Sequence, residues 1–490
     1  MNDEKREKTI QHIRWAIWLY FGLLLAEGAL RKWVLPQLAS PLLLVRDPVV
    51  IVAYFLALRA RVFPTNGWVF ALTVIGLLSF GISFVPLYGI FPNSRIFLTA
   101  VYGLRCNFLH LPFIFLMATV LRREDVEKIG WWTLVLMGPM AALMVAQFQS
   151  SPDSFLNRTS TGEGDMMLAA LGKVRTAGPF SFVVGVVYYL ALATGFVLWA
   201  ALKRGVYKNW LLLFAAVSIV IGTAVSGSRS VVGACGVVVA SLLLVLIVRP
   251  SAVNRLGQTL LVVLILGFVV TKTPIFKEGV KVLSTRFNSV AEAEDTSVSG
   301  SLVARFFGEF GDGLFVLAKA PFLGYGLGVG TNGGSKLLIG QSAFLLSESE
   351  WSRVFLESGP VLGLAFIVWR CSLAIRIGFL CLGSVTRERN LLPLLLFSSS
   401  FLPMINGQFG QTTILGFGVF VTGLALAARK EHALEDGPLD LDEPDEPLEI
   451  PGRPRVARCS PYALRLHGLD PGDDDNSSHG HDDSNGAVDR

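Results

Sequence analysis

Residues 129–149 read IGWWTLVLMGPMAALMVAQFQ, a stretch without a single charged side chain. A helix needs about 20 apolar residues to cross the hydrocarbon core of a bilayer, and this stretch supplies them. Runs of the same kind, some broken by Gly or Pro, recur at 15–35, 42–58, 67–90, 98–120, 179–202, 209–226, 230–248, 256–271, 354–380, 391–407 and 412–428. The 42–58 run is short, and 391–407 contains Pro393 and Pro403. The expected fold is therefore all-α: a polytopic membrane protein with about 12 transmembrane helices. Composition agrees. Hydrophobic residues make up 52% of the chain and charged residues 16%, whereas a soluble domain is about one quarter charged. Mean hydropathy is +0.56.

The first run reads as a span rather than a cleaved leader, because no small-residue cleavage site follows it before Arg31, Lys32 and Trp33. Cys106, Cys235, Cys371 and Cys381 lie in apolar runs and Cys459 lies near the end, so no disulfide framework or thiolate metal site is expected. The pI near 8.9 reflects loop lysines and arginines, which excludes nucleic acid as the natural partner. No metal or other cofactor is expected.

Loop charges set orientation. Positive residues gather at Lys5, Arg6, Lys8 and Arg14, at Arg59 and Arg61, at Arg122, Arg123 and Lys128, at Lys203, Arg204 and Lys208, at Arg249 and Arg255, at Arg387 and Arg389, and at Arg429 and Lys430. These segments belong in the cytoplasm, together with both termini. Arg31, Lys32 and Arg46, and the 150–178 loop with Arg158, Lys173 and Arg175, run against that pattern. The membrane domain is expected to span 1–430. Residues 431–490, acidic and Pro-rich with a His/Ser/Asp end, cannot bury enough apolar surface to offset chain entropy and are expected to form a disordered cytoplasmic tail.

A polar island at about 272–352 interrupts the apolar pattern and is expected to form a large outer loop. Within it, 301–320 has Leu302, Phe306, Phe310, Leu314 and Leu317 at three- and four-residue spacing, an amphipathic helix carrying Arg305, Glu309 and Asp312. Pro321 ends it. The stretch Gly324-Tyr325-Gly326-Leu327-Gly328-Val329-Gly330 alternates glycine with larger residues, allowing backbone to approach a ligand or a packed helix. It has no preceding strand, so it is not a dinucleotide fingerprint.

Among the ionisable residues, Arg229 stands in Ser226-Gly227-Ser228-Arg229-Ser230 at a junction of two apolar runs. A guanidinium on a small-residue turn suits an anionic headgroup, although an arginine at the interface can also simply snorkel. Arg286 and Arg305, on the island, can converge with it on a pyrophosphate. Arg105 lies inside its run beside Asn107 and His110, and Glu27 and Arg31 are one turn apart and can pair. Walker A, HExxH and GxSxG motifs and an acidic metal cluster are missing, which leaves ATP hydrolysis, zinc proteolysis and serine esterase chemistry without support.

Taken in order, Ser226-Gly-Ser-Arg229-Ser, the outer loop with its arginine-bearing helix, Pro321-x-x-Gly-x-Gly-x-Gly and Glu357-x-Gly359-Pro-x-x-Gly363 resemble the O-antigen ligase and O-antigen polymerase family of bacterial membrane glycosyltransferases, over about residues 15–430. The resemblance implies transfer of a glycan from an undecaprenyl pyrophosphate-linked donor to a saccharide or lipid-linked acceptor, at the outer face of the cytoplasmic membrane and without metal. It implies that Arg229 and Arg305 hold the pyrophosphate; Arg286 on the island and Arg105 inside its run are further candidates by position. The family's ligases carry a His-Asn pair shortly before the Glu-x-Gly motif. Here 346–353 contains no histidine, so the expected proton acceptors are Glu348 and Glu350, with Glu357 as a weaker third. Acidic residues at this place also suit the first turn of a following helix. Ligase and polymerase roles are both open. A transporter or flippase of a lipid-linked or anionic substrate is the alternative, and a non-catalytic envelope scaffold the third reading.

Overall fold

The computed structural model of the chain describes residues 3–91, 95–160, 168, 170–203, 205–248, 274–293, 311–341, 343–388 and 390–429. The 256–271 run, Arg305, Glu309 and the expected tail 431–490 lie outside the described residues. Among the described residues there is no strand beyond one isolated bridge, Leu168 to Val174.

The helices are α1 (Asp3–Ala29), α2 (Asp47–Ala60), α3 (Gly67–Ile90), α4 (Ile96–Leu104), α5 (Pro112–Val120), α6 (Arg123–Gln149), α7 (Val183–Leu202), α8 (Asn209–Val225), α9 (Arg229–Val248), α10 (Pro274–Ala293), α11 (Asn332–Ile339), α12 (Glu350–Arg387), α13 (Leu392–Asn406) and α14 (Thr412–Ala427). Every apolar run expected within the described residues falls on a helix. Six helical stretches are long and apolar enough to cross a membrane, namely Asp3–Val34, Pro41–Ala60, Gly67–Ile90, Arg123–Gln149, Val183–Leu202 and Glu350–Arg387. Ile96–Leu109 and Pro112–Val120, bent by 41°, make a seventh if taken as one span. The apolar helices Asn209–Val225, Arg229–Val245, Leu392–Asn406 and Thr412–Ala427 are shorter.

Proline and glycine set many boundaries. Pro48, Pro112 and Pro393 occupy first-turn positions, where a missing N–H costs nothing. The Asn66 side chain caps α3 by accepting from the Val69 amide at 3.0 Å. Helix α14 is buried at every position except Thr413 and forms the middle of the bundle. Of the helix expected at 301–320, residues 311–317 are helical and the helix ends three residues before the expected end, while 301–310 lie outside the described residues.

Connections sort to two ends. At one, Arg14 Nε donates to the Val120 carbonyl at 2.8 Å, Arg122 Nη2 meets Glu7 at 3.0 Å, Tyr207 donates to the Glu127 carbonyl at 2.6 Å, and Asn390 donates to the Ala428 carbonyl at 2.8 Å. At the other, Trp33 donates to the Phe155 carbonyl at 3.0 Å, Thr176 to the Val225 carbonyl at 3.2 Å, Lys173 pairs with Glu278 at 2.9 Å, and Lys336 donates to Ser40 at 2.7 Å. This alternation matches the pattern of loop charges. Three of the exceptions have a reason: Arg31, Lys32 and Arg46 are buried, with exposures of 5%, 2% and 1%, so they are interior charges rather than loop charges, whereas Lys173 of the 150–178 loop stays an exception at the second end.

Candidate functional site

Helix α12 begins with a short inward-facing segment. At Gly359 the backbone turns to φ 75°, ψ 173°, and Pro360 follows. Proline has no N–H for the carbonyl four residues earlier, which is that of Leu356. That carbonyl instead accepts the Tyr325 amide at 2.7 Å, and the Glu357 carbonyl accepts the Gly326 amide at 3.0 Å. The break in α12 thereby binds the glycine-rich stretch.

The rest of that stretch is fixed equally closely. The Leu327 amide donates to Ser83 Oγ at 2.9 Å, and the Gly330 amide to Glu357 Oε1 at 2.9 Å. Gly328 sits at φ 87°, and a Cβ there would stand 2.3 Å from the Thr99 carbonyl oxygen. The alternating glycines therefore serve close packing against α3, α4 and α12.

Beneath this segment lies a buried ion network. Arg353 Nε donates to Glu350 Oε2 at 2.9 Å, Nη2 to Glu350 Oε1 at 3.0 Å, and Nη1 to Glu357 Oε2 at 2.6 Å. Arg353 Nη2 also reaches Asn107 Oδ1 at 2.8 Å. Arg370 Nη1 donates to Glu350 Oε1 at 2.7 Å. Its remaining donors reach the Met404 carbonyl at 3.1 Å, the Pro403 carbonyl at 3.2 Å and the Gly407 carbonyl at 3.0 Å. These carbonyls lie at and just beyond the C-terminal end of α13, where the helix dipole attracts a cation. Arg370 stacks over Phe409 at 3.7 Å. It thus ties the start of α12 to the 406–411 loop.

A second network shares the same end of the bundle. Glu27 accepts from Arg31 at 3.5 Å, from Arg46 at 3.2 Å and from Thr412 at 3.0 Å. Arg46 lies where a Cβ on Gly416 would collide with its guanidinium. Asp47 accepts from Arg105 at 2.7 Å and is bonded to His110 Nε2 at 2.8 Å. Tyr20 Oη joins the two groups, 3.3 Å from Arg46 Nη1 and 3.2 Å from His110 Nδ1. Arg105 and Asn107 share one π-helical turn, Arg105–Leu109, so adjacent positions of that turn serve both networks.

Above Arg353 lies a small cleft. Thr331 and Asn332 at the start of α11, Phe344 and Glu348 on the following loop, and Gln408 and Gln411 on the 406–411 loop form its walls. The amides are linked: Gln411 Nε2 donates to Gln408 Oε1, and Gln408 Nε2 donates to the Glu348 carbonyl.

The expected site residues are distributed as follows. Glu348 is exposed on the cleft wall. Glu350 is buried at 1% exposure between Arg353 and Arg370. Arg105 is buried against Asp47. Arg229 is half-buried at the first residue of α9. Arg286 lies on α10, with its side chain outside the described positions, and Arg305 is outside them altogether. The structure brings Glu348 and Glu350 to one region and does not bring Arg105 to the cleft. Glu27 and Arg31 pair as expected. No group of residues among those described is arranged to hold a metal ion.

Sequence reasoning missed Arg353, Arg370, Gln408 and Gln411. Arg353 stands three residues after Glu350 and four before Glu357, a spacing that puts all three on one helix face. Arg370 is a charge within the apolar 354–380 run, a signal of interior function. The two glutamines have no comparable signal, since their meeting with Glu348 joins segments 60 residues apart. Comparison with family models, curated proteins and solved structures returns no match.

Proposed function

We propose that this chain is a metal-independent membrane glycosyltransferase of the O-antigen ligase and polymerase type, with both termini in the cytoplasm of a bacterium. Its donor is a glycan linked to undecaprenyl pyrophosphate and its acceptor a saccharide or a lipid-linked saccharide. In this reading the shorter apolar helices and the 256–271 run complete the twelve spans, and the cleft end faces outward. The observation that carries the reading is the cleft itself: hydroxyl and amide side chains with one exposed carboxylate, at one end of a bundle of apolar helices. That is the chemistry of a polyhydroxy ligand handled at a membrane surface.

Transfer on this site is a displacement. The Glu348 carboxylate accepts the proton of the acceptor hydroxyl as its oxygen forms a bond to the anomeric carbon. The bond from that carbon to the pyrophosphate oxygen breaks, and the pyrophosphate leaves with the electron pair. Arg229 and Arg305, as the resemblance implies, with Arg286 as a further candidate, meet that developing charge. Glu350, held by two guanidinium groups, acts as support for Arg353 rather than as the base, and Arg105 serves packing through Asp47. Removing the protein from its host is expected to enlarge the pool of glycan-bearing lipid pyrophosphate and to deplete the surface product. An unchanged pool would count against the proposal.

The second reading, a transporter, draws on the buried Tyr20, His110 and Asp47 chain, since ionisable groups inside a membrane domain often serve proton relays. It predicts substrate uptake into vesicles driven by a pH gradient and abolished in His110→Ala. Uptake that ignores the gradient or the substitution removes it.

A further inference from the structure

We propose that the cleft above Arg353 is a subsite for the hydroxyl groups of an uncharged saccharide, and that the pyrophosphate binds elsewhere. This rests on the glycosyl-transfer reading and assigns one half of the reacting pair to a place. The first argument is charge. Arg353, the guanidinium that reaches the cleft, is in contact with Glu350 and Glu357. Arg370 below it is paired with the same Glu350. Two cations thus meet two carboxylates, and Glu348 on the wall adds a further acidic group. Among the described residues, a pyrophosphate brought here would face a site without positive excess, and taking Arg353 from its partners would leave a buried carboxylate uncompensated, at high cost.

The second argument is the kind of donors and acceptors present. The amide chain uses the nitrogen of Gln411 and both ends of Gln408, so the Gln411 carbonyl oxygen is an acceptor held in a fixed orientation. Asn332, from a different segment of the same lining, offers both a donor and an acceptor. Sugar hydroxyls both donate and accept, so amides lining one cleft match them and offer a phosphate little. Phe344, exposed at the rim, gives an apolar face for a ring. Arg370 holds the 406–411 wall in place through the Pro403, Met404 and Gly407 carbonyls.

The test uses the full chain in phosphatidylcholine nanodiscs, applied to an array of lipid-free bacterial surface oligosaccharides, some neutral and some acidic. Wild-type protein is expected to retain neutral oligosaccharides. Gln411→Ala and Asn332→Ala, on separate segments, should each weaken retention by roughly tenfold, the scale of one or two lost hydrogen bonds. Millimolar inorganic pyrophosphate should not compete. Retention of acidic glycans only, competition by pyrophosphate, retention unaltered in both variants, or no retention would each overturn the subsite. Because no lipid donor or turnover is involved, the outcome separates from that of transfer. Retention without transfer keeps the subsite and removes the transferase, whereas transfer without retention at these residues does the reverse.

Discussion

The Glu357 carboxylate accepts Arg353 Nη1 at 2.6 Å with one oxygen and the Gly330 amide at 2.9 Å with the other. A single side chain therefore fixes both the ion network beneath the cleft and the glycine-rich backbone beside it. Glu357→Ala removes both contacts and leaves a buried guanidinium short of one partner. We expect a loss of about 3–5 kcal/mol, read as a lowered thermal unfolding midpoint in detergent, with Glu357→Gln less damaging. A midpoint equal to wild type in Glu357→Ala would show that the network is not coupled to stability.

Two glycines with positive φ separate packing from backbone strain. Gly328, at φ 87°, has the Thr99 carbonyl where a Cβ would go, while Gly340, at φ 78°, has open space there. Gly328→Ala should prevent accumulation of folded protein. Gly340→Ala, at the C-terminal end of α11, should cost only about 1 kcal/mol. Equal yields of the two variants would contradict the packed position of the glycine-rich stretch.

The loop positions predict accessibility. Asp153→Cys and Asn332→Cys should react with a membrane-impermeant thiol reagent in intact cells, and Glu124→Cys and Lys208→Cys only after permeabilisation. Labelling of Asn332→Cys and Lys208→Cys from the same side would contradict the separation of the two ends.

Of the arginines proposed to meet the pyrophosphate, Arg229 is the one whose side chain lies within the described residues and outside the Asp47 network. Arg229→Ala should abolish product at unchanged protein level, and Arg229→Lys should restore little, because lysine lacks the planar fork. Normal product in Arg229→Ala cells would remove this arginine from the mechanism.

Much of the fold was legible because its signal is local. An uncharged run such as 129–149 identifies α6 by itself, and Pro321 marks the end of a helix through its missing N–H. The number of crossing helices was less legible, because the 209–226, 391–407 and 412–428 runs look alike in hydropathy but form helices shorter than a full span. The site was legible in part. Glu348 and Glu350 were found by position, yet sequence could not tell exposed Glu348 from buried Glu350. Their environments are decided by Gln408 and Arg370, which come from other segments. Arg105 looked like a free intramembrane cation because its partner, Asp47, is 58 residues away. The same distance effect made Lys32 and Arg46 look like misplaced loop charges, since they donate to the distant Gly178 and Thr412 carbonyls.

Transfer by purified protein tests the central claim most directly. The full chain, reconstituted with a glycan-bearing undecaprenyl pyrophosphate and an oligosaccharide acceptor in the presence of a metal chelator, is expected to release undecaprenyl pyrophosphate and lengthen the acceptor. Glu348→Gln should retain the donor but slow transfer by about 10²–10⁴-fold, the usual contribution of a general base. Transfer by Glu348→Gln at the wild-type rate would contradict the assigned base, and no transfer by the wild-type chain with any glycan-bearing donor would contradict the account as a whole.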